Sequence, residues 1–368
     1  MMTWRRRRAR AHQHARTRHT THDTRAHETR QGRPGMSSNA TRAGRRRAIG
    51  TISALAAGCI LGLGSPGQAR AEAPARFIVP FPAGGAADAM ARVLVDRLKD
   101  QLKQPVIVEN RPGASTRVAA ETLKQAAPDG NTVLMTLFDT MVIAPLVYRN
   151  LRYDPDKDFA PITEVAALDY GIAVSGSSPY RTLADYVKAA HANPAAATLG
   201  VSGLGSVLHF LAFDFTRQTR VDMSIVPFQG GPAMVTNLVG NQIGSAIDGL
   251  GVFVEQHRAG KVRVLAVSGK QRSSQLPDVP TFGEQGYPSL LASSGYALYA
   301  PAGTPPAQIA RWNTAMRAVL AQPDVQARIR AIGYEPQPGS TPAQVVERRK
   351  RLSEHWTPIV RTSGYKGD

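Results

Sequence analysis

The stretch that decides the fold class is RFIVPFPAGGAADAMARVLVDRLKDQ, residues 76–101. Its first part, 76–81, is apolar and predicts a buried strand. Its last part, 87–101, repeats apolar residues at three- and four-residue intervals, which predicts an amphipathic helix. The Pro- and Gly-rich segment between them predicts a turn. A strand, a turn and a helix in this order begin a βα unit, from which parallel sheets are built.

The same alternation continues to the end of the chain. We therefore predict an α/β protein with mostly parallel sheets flanked by helices. A strand at 296–300 returns after a second complete βα set, which predicts two lobes with a ligand cleft between them. The expected lobes are 73–174 with 296–368, and 175–295. The other predicted elements are strands at 105–109, 132–137, 165–174, 197–201, 221–227, 245–248 and 264–267, and helices at 119–126, 183–190, 209–218, 233–239, 251–259, 306–321, 323–332 and 342–362.

The positive charge of the chain is concentrated at one end. Residues 1–72 hold 15 arginines against three acidic residues, so they carry 12 of the 18 net positive charges. The remaining +6 is ordinary for a globular domain. A nucleic-acid partner is therefore not expected.

Residues 1–72 have the pattern of an export signal behind a low-complexity extension. A basic run at 45–47 precedes an apolar stretch at 48–63, which is too short to span a bilayer and is followed by a cleavage site near Ala71. We expect translation to start at Met36 and the mature protein to reach the periplasm, by either the Sec or the twin-arginine route. The only cysteine, Cys59, falls within this leader, and the apolar residues after it favour a signal peptide over a lipid anchor.

The turn at 81–88 is the first candidate binding segment. Its glycines allow backbone N–H groups to approach a ligand, and the start of a helix behind them attracts anions. The alternative is that Gly84 and Gly85 only form the turn while Asp88 caps the helix. The segment lacks the Lys and Ser/Thr of a P-loop, which argues against a nucleotide.

A second Gly- and Ser-rich turn, 200–210, offers the hydroxyls of Ser202 and Ser206 and the imidazole of His209. The alternative for His209 is a packed or helix-capping role. Similar turns follow at 227–232 and 247–249, the latter carrying Asp248.

Short motifs run in order along the whole chain after the leader. They are IVPFPAGGAAD (78–88), PVIVENRPGA (105–114), AAPDG (126–130), YDPDKDFAPI (153–162), SGLGSVLH (202–209), PFQGGPA (227–233), AGKVRVLAV (259–267), LPDVPT (276–281) and APAGTPP (300–306).

In these motifs the chain resembles the Bug family, the substrate-binding receptors of tripartite tricarboxylate transporters. The resemblance implies a periplasmic-binding-protein (Venus-flytrap) fold that closes on a small organic acid or amino acid and delivers it to membrane permease subunits. It implies transport without catalysis, cofactor or metal, by a monomer. The expected ligand-binding residues are Phe81, Ala83, Gly84, Gly85, Asp88, Thr136, Phe138, Asp139, Ser202, Ser206, His209 and Asp248.

The chain departs from the family pattern in two places. Residues 115–117, Ser-Thr-Arg, replace a usual Gly-Gly, and Arg117 is either an added anion contact or a surface residue. Residues 136–139 replace a small T-S-G turn, and Phe138 is expected to narrow the pocket. Asp139 or Asp169 is expected to face the cleft and pair with an ammonium group, unless both are solvated loop residues.

Two other functional classes are weighed against a transport receptor. A hydrolase would need a base beside Ser206, and although His209 is close in sequence, no third catalytic residue or oxyanion site is visible. A periplasmic ligand sensor that acts on a signalling receptor has the same sequence features and stays open.

Overall fold

The structure is a computed structural model and describes residues 73–367. The expected signal peptide, the start at Met36 and Cys59 lie outside the described residues. Within them, no helix is both long and apolar enough to cross a bilayer.

Strands and helices alternate as the sequence predicts. The strands are β1 (Ala75–Val79), β2 (Val106–Asn110), β3 (Thr132–Leu137), β4 (Phe159–Ser175), β5 (Thr198–Val201), β6 (Ser224–Pro227), β7 (Ser245–Gly249), β8 (Val262–Val267), β9 (Ser293–Pro301) and β10 (Glu335–Pro336). The helices are α1 (Ala86–Leu102), α2 (Arg117–Lys124), α3 (Phe138–Val142), α4 (Ala144–Val147), α5 (Leu183–Ala192), α6 (Val207–Thr219), α7 (Gly231–Val239), α8 (Leu250–Arg258), α9 (Pro306–Leu320), α10 (Pro323–Ala331) and α11 (Pro342–Ser363).

The strands pair in the order β2-β1-β3-β9-β4-β7-β5-β6, with β8 and β10 also pairing with β4. The first half of β4 pairs with β9 and its second half with β7 and β8, so this one strand connects two halves of the sheet. The α/β fold class is confirmed. The sheet is mixed and not mostly parallel, because β4 and β9 run antiparallel to their neighbours while β1–β3 and β5–β7 form parallel pairs.

Each half of the sheet has its own apolar core. In the first half, Phe77 of β1, Leu94 of α1 and Trp312 of α9 are buried together. The indole N–H of Trp312 donates to the carbonyl oxygen of Gly130 at 2.8 Å. The core of the second half is built around α6 and includes Phe210, and it also receives Trp356 from the C-terminal helix α11.

Candidate ligand-binding site

A cavity of about 530 Å³ lies between the two halves of the sheet, at the loops that follow β1, β3, β5 and β7. Its volume lies within the range of small-molecule sites, and carboxyl ends of parallel strands are where α/β proteins bind ligands. Of the expected site residues, the wall contains Phe81, Asp139, Ser202, Ser206 and Asp248. The wall does not contain Ala83, Gly84, Gly85, Asp88, Thr136, Phe138 or His209.

Asp88 supports the first turn from behind. Its buried carboxylate accepts hydrogen bonds from the Gly84 N–H at 2.9 Å, from Arg92 Nε at 2.9 Å and from Asn110 Nδ2 at 2.9 Å. Arg92 is the main reason that its pKa falls to about 2. The expectation that Asp88 contacts the ligand is therefore corrected, because its oxygens already have protein partners.

The start of α1 supplies the anion-binding character of this turn. Since the Gly84 N–H is bonded to Asp88, the free donors are the first-turn N–H groups of α1, beginning at Ala86. Ala86 is exposed and belongs to the cavity wall. The positive end of a 17-residue helix thus faces the cavity.

Neither Thr136, near the end of β3, nor Phe138, at the start of α3, faces the cavity. Thr136 is fully buried and its hydroxyl lies 2.7 Å from that of Thr140, which in turn lies 2.6 Å from the hydroxyl of Thr116. Phe138 is 1% exposed and packs in the core beneath Arg348. Phe138 therefore does not narrow the pocket. Thr116 and Thr140 line it, which the sequence analysis missed.

Ser115 and Thr116, in the segment where the chain departs from the family pattern, form a strained part of the wall. Ser115 and Thr116 have φ of 52° and 75°, a left-handed conformation that glycine adopts at lower cost, and both line the cavity. The guanidinium carbon of Arg117 lies 3.6 Å from the ring centroid of Tyr148, itself a wall residue. Arg117 is outside the wall and supports Tyr148.

The second-half turn is held by its own side chains. The Ser206 hydroxyl donates to the carbonyl oxygen of Gly203 at 2.9 Å, and His209 Nδ1 accepts from the Gly205 N–H at 3.3 Å. The His209 ring packs edge-on against Tyr365 at 4.8 Å, and burial lowers its pKa. His209 is thus a packed residue that fixes the turn and lies outside the cavity wall.

The two candidate acids, Asp139 and Asp169, line different cavities. Leu168 and Tyr170 line the ligand cavity, so Asp169 between them faces the other side of the strand and lines a second cavity of about 750 Å³. Asp139 lines the ligand cavity, and its Oδ1 accepts from Ser294 Oγ at 2.6 Å. Of the two acids that were expected as alternatives, Asp139 borders the ligand cavity and Asp169 does not; pairing with an ammonium group stays a prediction.

Aromatic rings cover another part of the wall. Phe81 meets Tyr296 edge-on with centroids 6.2 Å apart, and Tyr296 meets Tyr334 at 5.3 Å. Tyr334 follows α10, far along the chain from the predicted turns, and no local motif marked it. All three rings border the cavity.

The buried carboxyl group of Asp248 should make the stability of the ligand-free protein depend on pH. Burial raises its pKa from 3.8 to about 6, so the folded state binds a proton more tightly than the unfolded state. The stability that this proton provides is present below about pH 4 and is lost as the pH rises through about 6. The wild-type protein should lose up to about 3 kcal/mol of unfolding free energy through Asp248 as the pH rises, and we expect Asp248→Asn to remove this loss. Urea denaturation of both proteins from pH 4 to 7 measures the difference, and parallel curves would contradict the burial of an ionised carboxylate.

The mixed two-part sheet, with a cavity at the strand ends where the halves meet, defines the periplasmic-binding-protein class of solute receptors. The family model for the tripartite tricarboxylate transporter family receptor, TctC, matches residues 90–364. The chain belongs to this family, and it is a solute-binding receptor. The resemblance to Bug proteins is confirmed.

Individual relatives agree with this membership. The protein BugT of Bordetella pertussis is 30% identical over 297 residues, which are 80% of this chain and 90% of BugT. The structure of Rpa4515 from R. palustris with adipate has a TM-score of 0.71 at 31% identity, covering 80% of this chain and 98% of that one. The structure of MatC from Rhodopseudomonas palustris with bound malate has a TM-score of 0.68 at 29% identity, covering 78% and 99%.

Proposed function

We propose that this receptor captures a small carboxylate-bearing metabolite in the cavity and delivers it to the membrane permease subunits of a tripartite tricarboxylate transporter. It works as a monomer in the periplasm and catalyses no reaction. The observation that carries the proposal is the start of α1 at the cavity wall, where backbone N–H groups have no helical acceptor. Two relatives whose structures contain a dicarboxylate, adipate or malate, support the ligand class.

The carboxylate would bind at the N-terminus of α1, beside Ala86 and Phe81. A helix N-terminus binds an anion without a basic side chain, because oriented N–H groups and the helix dipole supply the positive potential. Ser202 and Ser206 of the second half line the opposite wall. Binding would therefore need both halves of the sheet at once.

The expected lobes, 73–174 with 296–368 and 175–295, would close on the ligand by hinge motion about β4 and β9. A close contact between the two lobes, beside the cavity, supports such closure. A Cβ atom at Gly333 would lie 2.9 Å from the Cα of Gly251, so these two glycines allow the start of α8 and the turn after α10 to touch. The closed surface would then be the form that the permease recognises.

A thermal-shift screen tests the proposal. The purified chain is screened with adipate, malate and other mono-, di- and tricarboxylates, each paired with its neutral amide. A ligand at 100 times its dissociation constant should raise the free energy of unfolding by about 2.7 kcal/mol. We expect a shift with at least one carboxylate and none with its amide. Equal shifts with acid and amide, or no shift with any acid, would contradict carboxylate capture.

A further inference from the structure

The cavity wall carries acidic groups without basic ones. Asp139 and Asp248 line it from the two halves of the sheet, and among residues 73–367 no Arg, Lys or His side chain lines it. Within residues 73–367, the hydrogen-bond partners of these carboxylates are neutral, namely the hydroxyls of Ser294 and Ser202 and backbone N–H groups. A carboxylate shielded from water is normally paired with a cation, because its desolvation is costly.

Neutral donors satisfy Asp139 in part. Its Oδ1 accepts from Ser294 Oγ at 2.6 Å, and the N–H of Val207, at the start of α6, favours its ionised form. Desolvation outweighs both, so the pKa of Asp139 is raised. Asp139 is a partly exposed residue of the cavity wall, and its side chain borders the space that a ligand would occupy.

Asp248 is satisfied still less. Its Oδ1 accepts from the Gly249 N–H at 2.7 Å, and the Ser202 hydroxyl favours its ionised form. Its Oδ2 is buried and forms no hydrogen bond with any described residue. A buried oxygen without a donor is uncommon in proteins and usually has a functional reason.

Aromatic rings line the same cavity as the two acids. Burial holds the pKa of Tyr170 and of Tyr296 well above the usual range, and the nearby charge of Asp139 acts on both in the same direction. Both tyrosines line the cavity. Carboxylates and aromatic faces are the two protein features that attract organic cations.

We propose that this acidic, aromatic wall is a subsite for an ammonium group, and that the ligand carries one carboxylate and one ammonium. The inference rests on the proposed function, since the carboxylate is assigned to the start of α1. The ammonium pairs with Asp139 directly and is stabilised by the negative potential of Asp248. A dicarboxylate would place its second negative charge beside two carboxylates, where repulsion disfavours it.

Length-matched ligands test the inference. We would titrate the purified chain at pH 7.5 by calorimetry with hexanoate, 6-aminohexanoate, adipate and hexylamine, and with the four-carbon series butanoate, 4-aminobutanoate, succinate and butylamine. We expect the amino acid of one series to bind at least 10-fold more tightly than the acid without the amine, a difference of about 1.4 kcal/mol. The matching dicarboxylate should bind more weakly than the amino acid.

Variants that remove one negative charge test whether the cavity wall causes the preference for the amino acid over the plain acid. Asp139→Asn should reduce the advantage of the amino acid over the plain acid at least 10-fold, because the ammonium group loses its carboxylate partner. Asp169→Asn also removes one negative charge, but from the second cavity, on the side of β4 that faces away from the ligand cavity. It should change the affinity for neither the amino acid nor the plain acid, which makes it the matched control. Because Asp139→Asn keeps the side-chain shape and removes a desolvated charge, we expect it to fold.

The outcomes separate this inference from the proposed function. Tighter binding of the dicarboxylate or the plain acid would overturn the ammonium subsite and leave carboxylate capture standing. Binding of the amines alone would keep the subsite and overturn carboxylate capture. Binding of no compound in either series would overturn the ammonium subsite, whereas carboxylate capture is decided by the wider screen of acids. An unchanged preference in Asp139→Asn would overturn the assignment to this wall.

Discussion

Replacing Trp312 by alanine is expected to lower the free energy of unfolding by about 3–5 kcal/mol. The side chain is 1% exposed, lies 6.5 Å from the ring of Phe77 and donates its indole N–H to Gly130 at 2.8 Å. Truncation removes a large buried surface and leaves a cavity between α9 and β1, while the Gly130 carbonyl loses its donor. Urea denaturation, followed by circular dichroism, measures the loss.

Trp312→Phe is the matched control, because it keeps most of the apolar surface and removes only the N–H group and part of the volume. We expect it to cost less than half as much as Trp312→Ala. Equal costs would mean that the hydrogen bond to Gly130, and not the packing, supplies most of the stability. A loss below about 1 kcal/mol in Trp312→Ala would contradict the described core.

Replacing Arg348 by methionine is expected to cost about 3–5 kcal/mol, because it leaves the buried carboxylate of Glu164 without its cation. Arg348 of α11 pairs with Glu164 of β4 and donates to the Ser294 carbonyl at 3.0 Å. Burial raises the pKa of Glu164 and Arg348 opposes that rise. Without Arg348 the carboxyl group should take up a proton more readily, so the loss of stability should be smaller at pH 5 than at pH 8.

Two variants complete this test. Arg348→Met combined with Glu164→Gln should recover much of the loss, since no buried charge remains. Arg351→Met, on the same helix, removes an exposed pair with Glu347 at 3.2 Å and should cost at most about 1 kcal/mol. If Arg351→Met and Arg348→Met had equal effects, the pairing of α11 with β4 would not be a buried one.

Most of the fold could be predicted from the sequence because most elements have a local signal; the short elements α3, α4 and β10 were not predicted. The strand–turn–helix at 76–101 appears as β1 and α1, and the returning strand predicted at 296–300 appears as β9, Ser293–Pro301. The mixed direction of the sheet could not be predicted in the same way. It depends on which strands pair, and β4 pairs with partners more than 100 residues away.

The candidate site was predictable only where one loop supplies it. Phe81 and Ser202 follow strands, Asp248 lies near the end of β7, and all three line the cavity. Asp88 was assigned to the ligand from the family resemblance, whereas its hydrogen bond to Asn110, 22 residues away, forms only in the folded chain. Tyr334 was missed for the same reason, since it reaches the cavity through tertiary packing alone.

The two candidate acids show a further limit of prediction from the sequence. Asp139 and Asp169 both follow or lie in predicted strands, and sequence alone could not choose between them. The register of β4 decides it, because residues on either side of Asp169 face the ligand cavity.

The most direct test of carboxylate capture is a calorimetric titration of the carboxylate found by the screen against the wild-type chain, Ala86→Glu and Ala307→Glu. Both variants add one negative charge to the exposed first turn of a helix, where an acid is well tolerated, but only Ala86 lines the cavity. We predict one bound ligand per wild-type chain, affinity lowered at least 100-fold in Ala86→Glu, about 2.7 kcal/mol, and unchanged affinity in Ala307→Glu. Equal affinities in all three proteins would contradict binding of the carboxylate at the start of α1.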